Sequence, residues 1–282
     1  MQNRLDRLAR QSLAIHAKLR SRAIAKEDIC VDGFVSFDHS QYFPSEITLS
    51  TTSRSQFVLE LSHASRKRSG IMRPAQIEKA VSLYAATNFE RGAVSRTFRD
   101  ILDTLAALRP PEINSPLVLI TDEKPEYQRI LFRHPLFLRQ DPDHRIAHVR
   151  IWSKLPRTFS NPLFASNYID RQLRKDQANH HRETVCFNRN VANGLSRFTC
   201  YLAYHNYFKR FRINAGIADQ RTHGEVAGIS RNAIQNETKA LFINRAFLSK
   251  AELSPPMERI WRKQSPTPMK SKADYLPAFA LA

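Results

Sequence analysis

The sequence predicts an α/β protein, a mixed β-sheet with helices packed on its faces and a helical region toward the C-terminus. Three observations carry that prediction. Three runs rich in Val, Ile, Leu, Thr and Phe follow one another as ICVDGFVSFD, SEITLSTT and QFVLELSH within residues 29–63. Two further apolar runs, in SPLVLITDEKPEY and AHVRIWSKL, alternate with stretches of helical period. Between Pro162 and Pro255 no proline interrupts the chain, and much of that stretch repeats its apolar residues at helical spacing.

Taken in order, Leu5, Leu8, Leu13, Ile15 and Leu19 recur roughly on one side of an amphipathic helix over about residues 5–25. The three β-rich runs, broken by Pro44 and a Ser-Thr stretch, read as an antiparallel meander. After the basic loop RKRSG, Pro74 opens a helix through Ile77, Val81 and Tyr84. A second helix spans Ala93 to Leu108 and is stopped by Pro110 and Pro111. Leu117–Ile120 is a continuous apolar run, as expected of a strand buried on both faces, and a helical stretch follows from Pro125. Ala147–Leu155 reads as another strand, and Val191, Leu195, Phe198 and Leu202 step along one helix face. The closing SPPMERIWRKQSPTPMKSKADYLP, rich in proline and lysine, reads as a tail without fixed order. Three strands, helices, a strand, a helix, a strand and a long helix is the order of a ribonuclease H-like fold. The expected division is an N-terminal helix over 1–27, a catalytic domain over 28–215 and an extension with its tail over 216–282.

Composition narrows the function. The 282 residues include 44 Lys and Arg against 26 Asp and Glu, a formal charge of +18. Such an excess, spread along the chain, favours a polyanionic partner gripped in a broad groove. No run approaches the roughly 18–20 apolar residues of a membrane span, and the N-terminus lacks a signal-peptide pattern, so a cytoplasmic protein is expected. Cys30, Cys186 and Cys200 form no CxxC, which argues against a disulfide framework or a cysteine zinc site. The seven glycines form neither GxGxxG nor GxxxxGK.

The acids then carry the chemistry. Asp32 interrupts an apolar run and precedes Gly33, so it is either the acid of an Asp-Gly hairpin or a charge within a longer strand. The hairpin would leave only Ile29–Val31 as strand after the polar AKED, and the longer strand fits better. Asp122 lies where Leu117–Ile120 emerges, at a strand's carboxyl end where sites of α/β sheets gather, or else it caps the helix opened by Pro125. Two acids leaving neighbouring strands could share a divalent ion, and hard oxygen ligands suit Mg²⁺ or Mn²⁺. Candidates for a third acid lie in NYIDRQLRKDQANHHRETVCFNRN. Asp170 shares a helix face with Asn167, or forms a surface ion pair with the neighbouring Arg171, Arg174 or Lys175. Glu183, the alternative, stands among His180, His181 and Arg182, and the two histidines read as solvated.

These segments resemble those of DDE-type insertion-sequence transposases, whose catalytic domain is ribonuclease H-like. The resemblance rests on ICVDGFVSF, LVLITDEKPEY, and NYIDRQLRKDQANHHRETVCFNRN with the following YHNYFKRFRI, across about residues 25–245. It implies Asp32 and Asp122 as the first two catalytic, metal-binding acids. Where many relatives carry Glu one turn before Asn, this chain has Asn167 and Asp170, which implies Asp170 as a shifted third acid. The activity implied is cleavage and strand transfer of an insertion element's DNA with two Mg²⁺ or Mn²⁺ ions, by a homo-oligomer assembled on DNA at the bacterial nucleoid. Arg66, Lys67 and Arg68, Arg171, Arg174 and Lys175, and Lys209, Arg210 and Arg212 are the expected contacts to DNA phosphates. Tyr204, Tyr207, Phe208 and Phe211 are candidates to stack on exposed bases. Relatives commonly carry a zinc-ribbon or helix-turn-helix module ahead of the catalytic domain. One helix before Asp32 is too short for it, so a partial copy or a split reading frame is expected. A stand-alone nuclease of the same fold and a catalytically decayed DNA-binding remnant are the rival readings.

Overall fold

The computed structural model describes residues 2–23, 26–109, 116–138, 146–181, 188–212, 214, 216, 219–239, 241, 243 and 245–269. Its elements are α1 (Gln2–Arg20), β1 (Ile29–Phe37), β2 (Pro44–Thr52), β3 (Val58–Ser65), α2 (Pro74–Ala85), α3 (Ala93–Leu108), β4 (Leu117–Asp122), α4 (Pro125–Leu131), α5 (Pro135–Leu138), β5 (Ile146–Ile151), α6 (Phe164–Asp176), α7 (Val191–Tyr207), α8 (His223–Val226), α9 (Arg231–Lys239) and α10 (Pro255–Trp261).

The strands form one mixed sheet in the order β3-β2-β1-β4-β5. β1, β2 and β3 are an antiparallel meander, while β4 and β5 join β1 in parallel. Strand alternation assigns β1 to two cores. Ile29 and Val31 pack in the cluster that holds Phe98, Ile101 and Leu105 of α3 and Tyr127 of α4. Phe34 packs on the opposite face with Ile47, Leu49 and Leu61, against Ile169 and Leu173 of α6 and Val191, Leu195 and Phe198 of α7. The sheet is thus sandwiched between α3 and α4 on one side and α6 and α7 on the other. The expected α/β class with helices on both faces is the observed one.

The exposed edge of β3 is closed by side chains. Asn206 of α7 donates to the Val58 carbonyl at 2.9 Å and accepts from its N–H at 3.0 Å, imitating a strand neighbour. His16 of α1 contacts the Leu59 carbonyl at 3.1 Å, and Arg20 donates to the buried Glu60 carboxylate at 2.6 Å.

The structure departs from expectation at the C-terminal segment and at the end of the fifth strand. The segment opening SPPMERIW is not an unordered tail up to its Trp: Pro255 and Pro256 start α10, and Met257, Ile260 and Trp261 are buried in the α6–α7 core. Their i, i+3, i+4 spacing is that of a helix face, which the surrounding prolines and lysines obscure. Lys263 continues this docking by donating to the buried Asp6 of α1 at 2.6 Å. The fifth strand ends at Ile151 rather than Leu155, because a turn closes there with the Leu155 N–H donating to the Trp152 carbonyl at 3.0 Å. Among the described residues no helix is long and apolar enough to cross a membrane.

Candidate functional site

β1 runs straight through Asp32 and Gly33, paired along its whole length with β2, so Asp32 is a strand residue and not a hairpin turn. Its parallel pairing with β4 ends at Val31 opposite Thr121. Asp32 and Asp122 are therefore the next residue on each of two adjacent strands, whose backbones run ~4.8 Å apart. Asp32 follows the alternation of Cys30 and Phe34, and Asp122 that of Ile120, which packs with Cys30 and the start of α6. Both carboxylates consequently face α6. That helix buries Ile169 and Leu173 in the core, and it carries Asp170 between them.

Burial and mutual charge act on these groups together. Burial pushes the Asp32 carboxyl up to about 6, with Asp122 adding to the rise and Lys124, the Gly33 N–H and Arg157 opposing it. Burial likewise pushes Asp170 up to about 7, and the Asp32 charge is the next contribution, against Arg174, Arg157 and Lys124. Two like charges sharing a desolvated site disfavour joint ionisation. The sequence-predicted Asp32, Asp122 and Asp170 thus converge on one side of the sheet, where β4 ends beside β1. Glu183 lies outside the described residues. α6 ends at Asp176, followed by a short 3₁₀ turn at Ala178–His180, so no straight helix links Asp170 to the Glu183 segment.

Asp122 does not cap the helix, whose N-cap position belongs to Lys124. Its Oδ1 accepts the Lys124 N–H at 3.2 Å, which holds the loop leaving β4 against the acid.

Two residues at this site were not singled out from the sequence. Glu46 of β2 is 3% exposed, and Lys124 follows directly on β4. The Lys124 Nζ stands 3.9 Å from Asp32 Oδ1, 3.7 Å from Asp122 Oδ2 and 3.6 Å from Glu46 Oε1. An acid within SEITLSTT, every residue of which is buried, was the available signal for Glu46.

The basic residues divide. Arg66, Arg68 and Lys79 line a cleft of about 540 Å³ with Val35, Phe37 and Tyr42, further along β1 and on the sheet face opposite to Asp32. Arg66 is also ion-paired with Glu46 at 3.2 Å, and Lys67 lies over the Tyr84 and Phe89 rings. Arg171, Lys175, Arg210 and Arg212 are exposed. Arg174 instead lies over the Phe34 ring and donates to the carbonyls of Val35 and His180, and Lys209 is turned inward to donate to Gln172 at 2.6 Å. Both are engaged within the fold. Of the aromatic residues, Tyr204 and Phe208 are 51% and 43% exposed, Phe211 is half-buried and Tyr207 is buried. His180 is buried too, with Nδ1 2.8 Å from Ser36 Oγ and its ring edge-on to Phe34, which corrects the solvated reading.

Among the described residues, no three His, Cys, Asp or Glu side chains stand at metal-holding spacing. The donor chemistry nonetheless fits a hard divalent ion: the donors are all carboxylate oxygens. Lys124 stands at ion-pair distance from three of these acids and Arg66 from Glu46, and Glu46 Oε1 is buried without a hydrogen-bond partner among the described residues.

No protein-family model matches the chain, and no curated protein does. Among solved structures, it is similar to a chain of the cryo-EM structure of the simian T-cell lymphotropic virus intasome in complex with PP2A regulatory subunit B56 gamma. The match has 11% identity and a TM-score of 0.32 over 73% of this chain, and it spans 57% of that chain. At that score the likeness assigns neither a residue nor an activity.

Proposed function

We propose that this chain is a divalent-metal-dependent polynucleotidyl transferase of the DDE transposase type, built on a ribonuclease H-like sheet. The observation that carries the reading is the convergence of Asp32, Asp122 and Asp170 on one face, at the end of β4 and beside the middle of β1. The strand order, with an antiparallel meander joined to two parallel strands, supports the same fold. Asp32, Asp122 and Asp170 would hold Mg²⁺ or Mn²⁺, which supplies Lewis-acid activation of the attacking oxygen and charge stabilisation at the leaving oxygen of a phosphodiester. The chain's own residues do the rest. Arg66, Arg68 and Lys79 in the cleft, with exposed Arg171, Lys175, Arg210 and Arg212, hold backbone phosphates of DNA. Assembly as a homo-oligomer on DNA in the bacterial cytoplasm belongs to this reading.

The test is nicking of supercoiled plasmid with Mg²⁺ or Mn²⁺. The wild type is expected to nick, and Asp32→Asn and Asp122→Asn to lose nicking by about 100-fold or more while keeping DNA affinity, since Asn preserves shape and removes the charge. Near-normal nicking by either variant, or none by the wild type, refutes the reading. Joining of a labelled 3′-hydroxyl end separates a transposase from a nuclease of the same fold.

A further inference from the structure

We propose that Lys124 is the built-in counter-ion of the acid cluster, and that a divalent cation reaches the carboxylates only by displacing its ammonium group. The inference rests on the metal-binding reading above and concerns how that site is controlled.

The lysine is held in place from below the sheet. Tyr127 packs in the α3-side core, and the Lys124 Nζ donates to its hydroxyl at 3.3 Å and lies over its ring. Glu46 pairs across from Val35, so strand alternation puts it on the same side as Gly33, opposite to the face carrying Asp32. Lys124 therefore touches carboxylates from both sides of the sheet. It can do so only because the pairing of β4 with β1 stops at Val31 and because position 33 has no side chain. A Cβ on Gly33 would fall 2.7 Å from Glu46 Oε1 and 3.0 Å from the Lys124 Nζ. Gly33 thus opens the passage through which the ammonium reaches Asp32.

The contacts are loose in a telling way. At 3.6–3.9 Å the ammonium is within ion-pair range of three carboxylates and beyond hydrogen-bond length from each. Glu46 Oε1, though buried, accepts no hydrogen bond among the described residues. Placed among these acids with no short bond to any of them, the ammonium offsets part of their charge, alongside Arg66 on Glu46, without saturating them. The carboxylates keep their lone pairs for an incoming cation, and a lysine on a flexible stem can withdraw along the Tyr127 side. The cost of displacing it lowers the affinity for the cation. Metal binding then favours conditions in which something else, such as a bound phosphodiester, receives the freed ammonium.

The test measures Mn²⁺ binding by the full chain without DNA, from the electron paramagnetic resonance signal of free Mn²⁺ at fixed pH and ionic strength. Lys124→Met is expected to bind Mn²⁺ about tenfold or more tightly than wild type, given the strength of charge contacts at this range. Lys124→Arg, which keeps the charge, is expected to stay within about threefold of wild type. Should Lys124→Met prove unstable, Lys124→Gln carries the same expectation. In thermal melts without metal, the neutral variants are expected to melt lower than wild type, with the loss reduced in an Asp32→Asn background, where Glu46 and Asp122 still face the ammonium. Wild-type binding that both neutral variants leave unchanged or weaken overturns the counter-ion proposal alone. Absence of Mn²⁺ binding by the wild type and the neutral variants alike overturns the metal reading, and with it the displacement.

Discussion

Replacing Asp170 with Asn tests whether this acid belongs to the cluster. An acid whose folded pKa is raised holds its proton more tightly folded than unfolded. Its contribution to stability therefore falls as pH rises from the unfolded value, 3.8, through the folded value of about 7. At ~1.4 kcal/mol per pKa unit, the raised pKa of Asp170 costs about 4 kcal/mol at pH 8, where the folded carboxyl is ionised, and about 1 kcal/mol at pH 4.5, where it keeps its proton while the unfolded chain loses it. Asp32, itself pushed up to about 6, shares the repulsion, so removing one charge relieves part of both penalties. Relaxation around the site reduces the gain, and Asp170→Asn is expected to stabilise the protein by ~2–4 kcal/mol at pH 8 and by ~1 kcal/mol or less at pH 4.5. Urea unfolding with EDTA at the two pH values measures it, with plasmid nicking run on the same preparations. The expected result is a more stable protein that no longer nicks. A loss of stability at pH 8, or an equal gain at both pH values, would refute the placement of Asp170 against Asp32.

Two further outcomes follow from the charge and from the buried histidines. If 6–10 phosphates are contacted, duplex DNA affinity should fall ~10³–10⁵-fold between 50 and 200 mM salt, and Arg68→Ala with Lys79→Ala should lower the log–log slope by ~1.8; a flat titration refutes this. His205 and His223 stack with ring centroids 3.9 Å apart and bond to the carbonyls of Gln56 and Ser55 at 2.9 and 2.8 Å. Burial lowers His223 to about 4 and His205 well below its ordinary range, so the folded form binds fewer protons than the unfolded. The stability they supply is full above pH ~6.5 and is lost as pH falls toward 4. Thermal melts from pH 7 to 5 should fall less steeply for His223→Gln than for wild type, and equal slopes would contradict the assignment.

Much of the frame was legible because it depends on local pattern. α3 begins and ends where its apolar period and the following prolines put it, at Ala93 and Leu108. The strand through Asp32 was legible because three apolar residues after AKED are too few for a strand. The end of β4 at Asp122 was legible because a doubly buried strand must stop where an acid, a lysine and a proline follow. α10 was missed because its apolar spacing is one turn long and set among residues that signal disorder, and only a core with room for Trp261 makes it a helix. The burial of His180 was missed for a similar reason: Phe34 and Phe198, which enclose it, are remote in sequence.

The sequence by itself determined the chemistry on offer: hard oxygen donors at Asp32, Asp122 and Asp170, a strongly basic surface, and strands that carry two of those acids to the end of their parallel pairing. Only the tertiary structure decided which charges meet. Glu46 reaches the site through the antiparallel register of β2 on β1, and Lys124 through the early stop of β4 and the missing side chain at Gly33. Register and strand length are settled by the packing of both sheet faces at once, so no window of sequence around Glu46 or Lys124 contains that information.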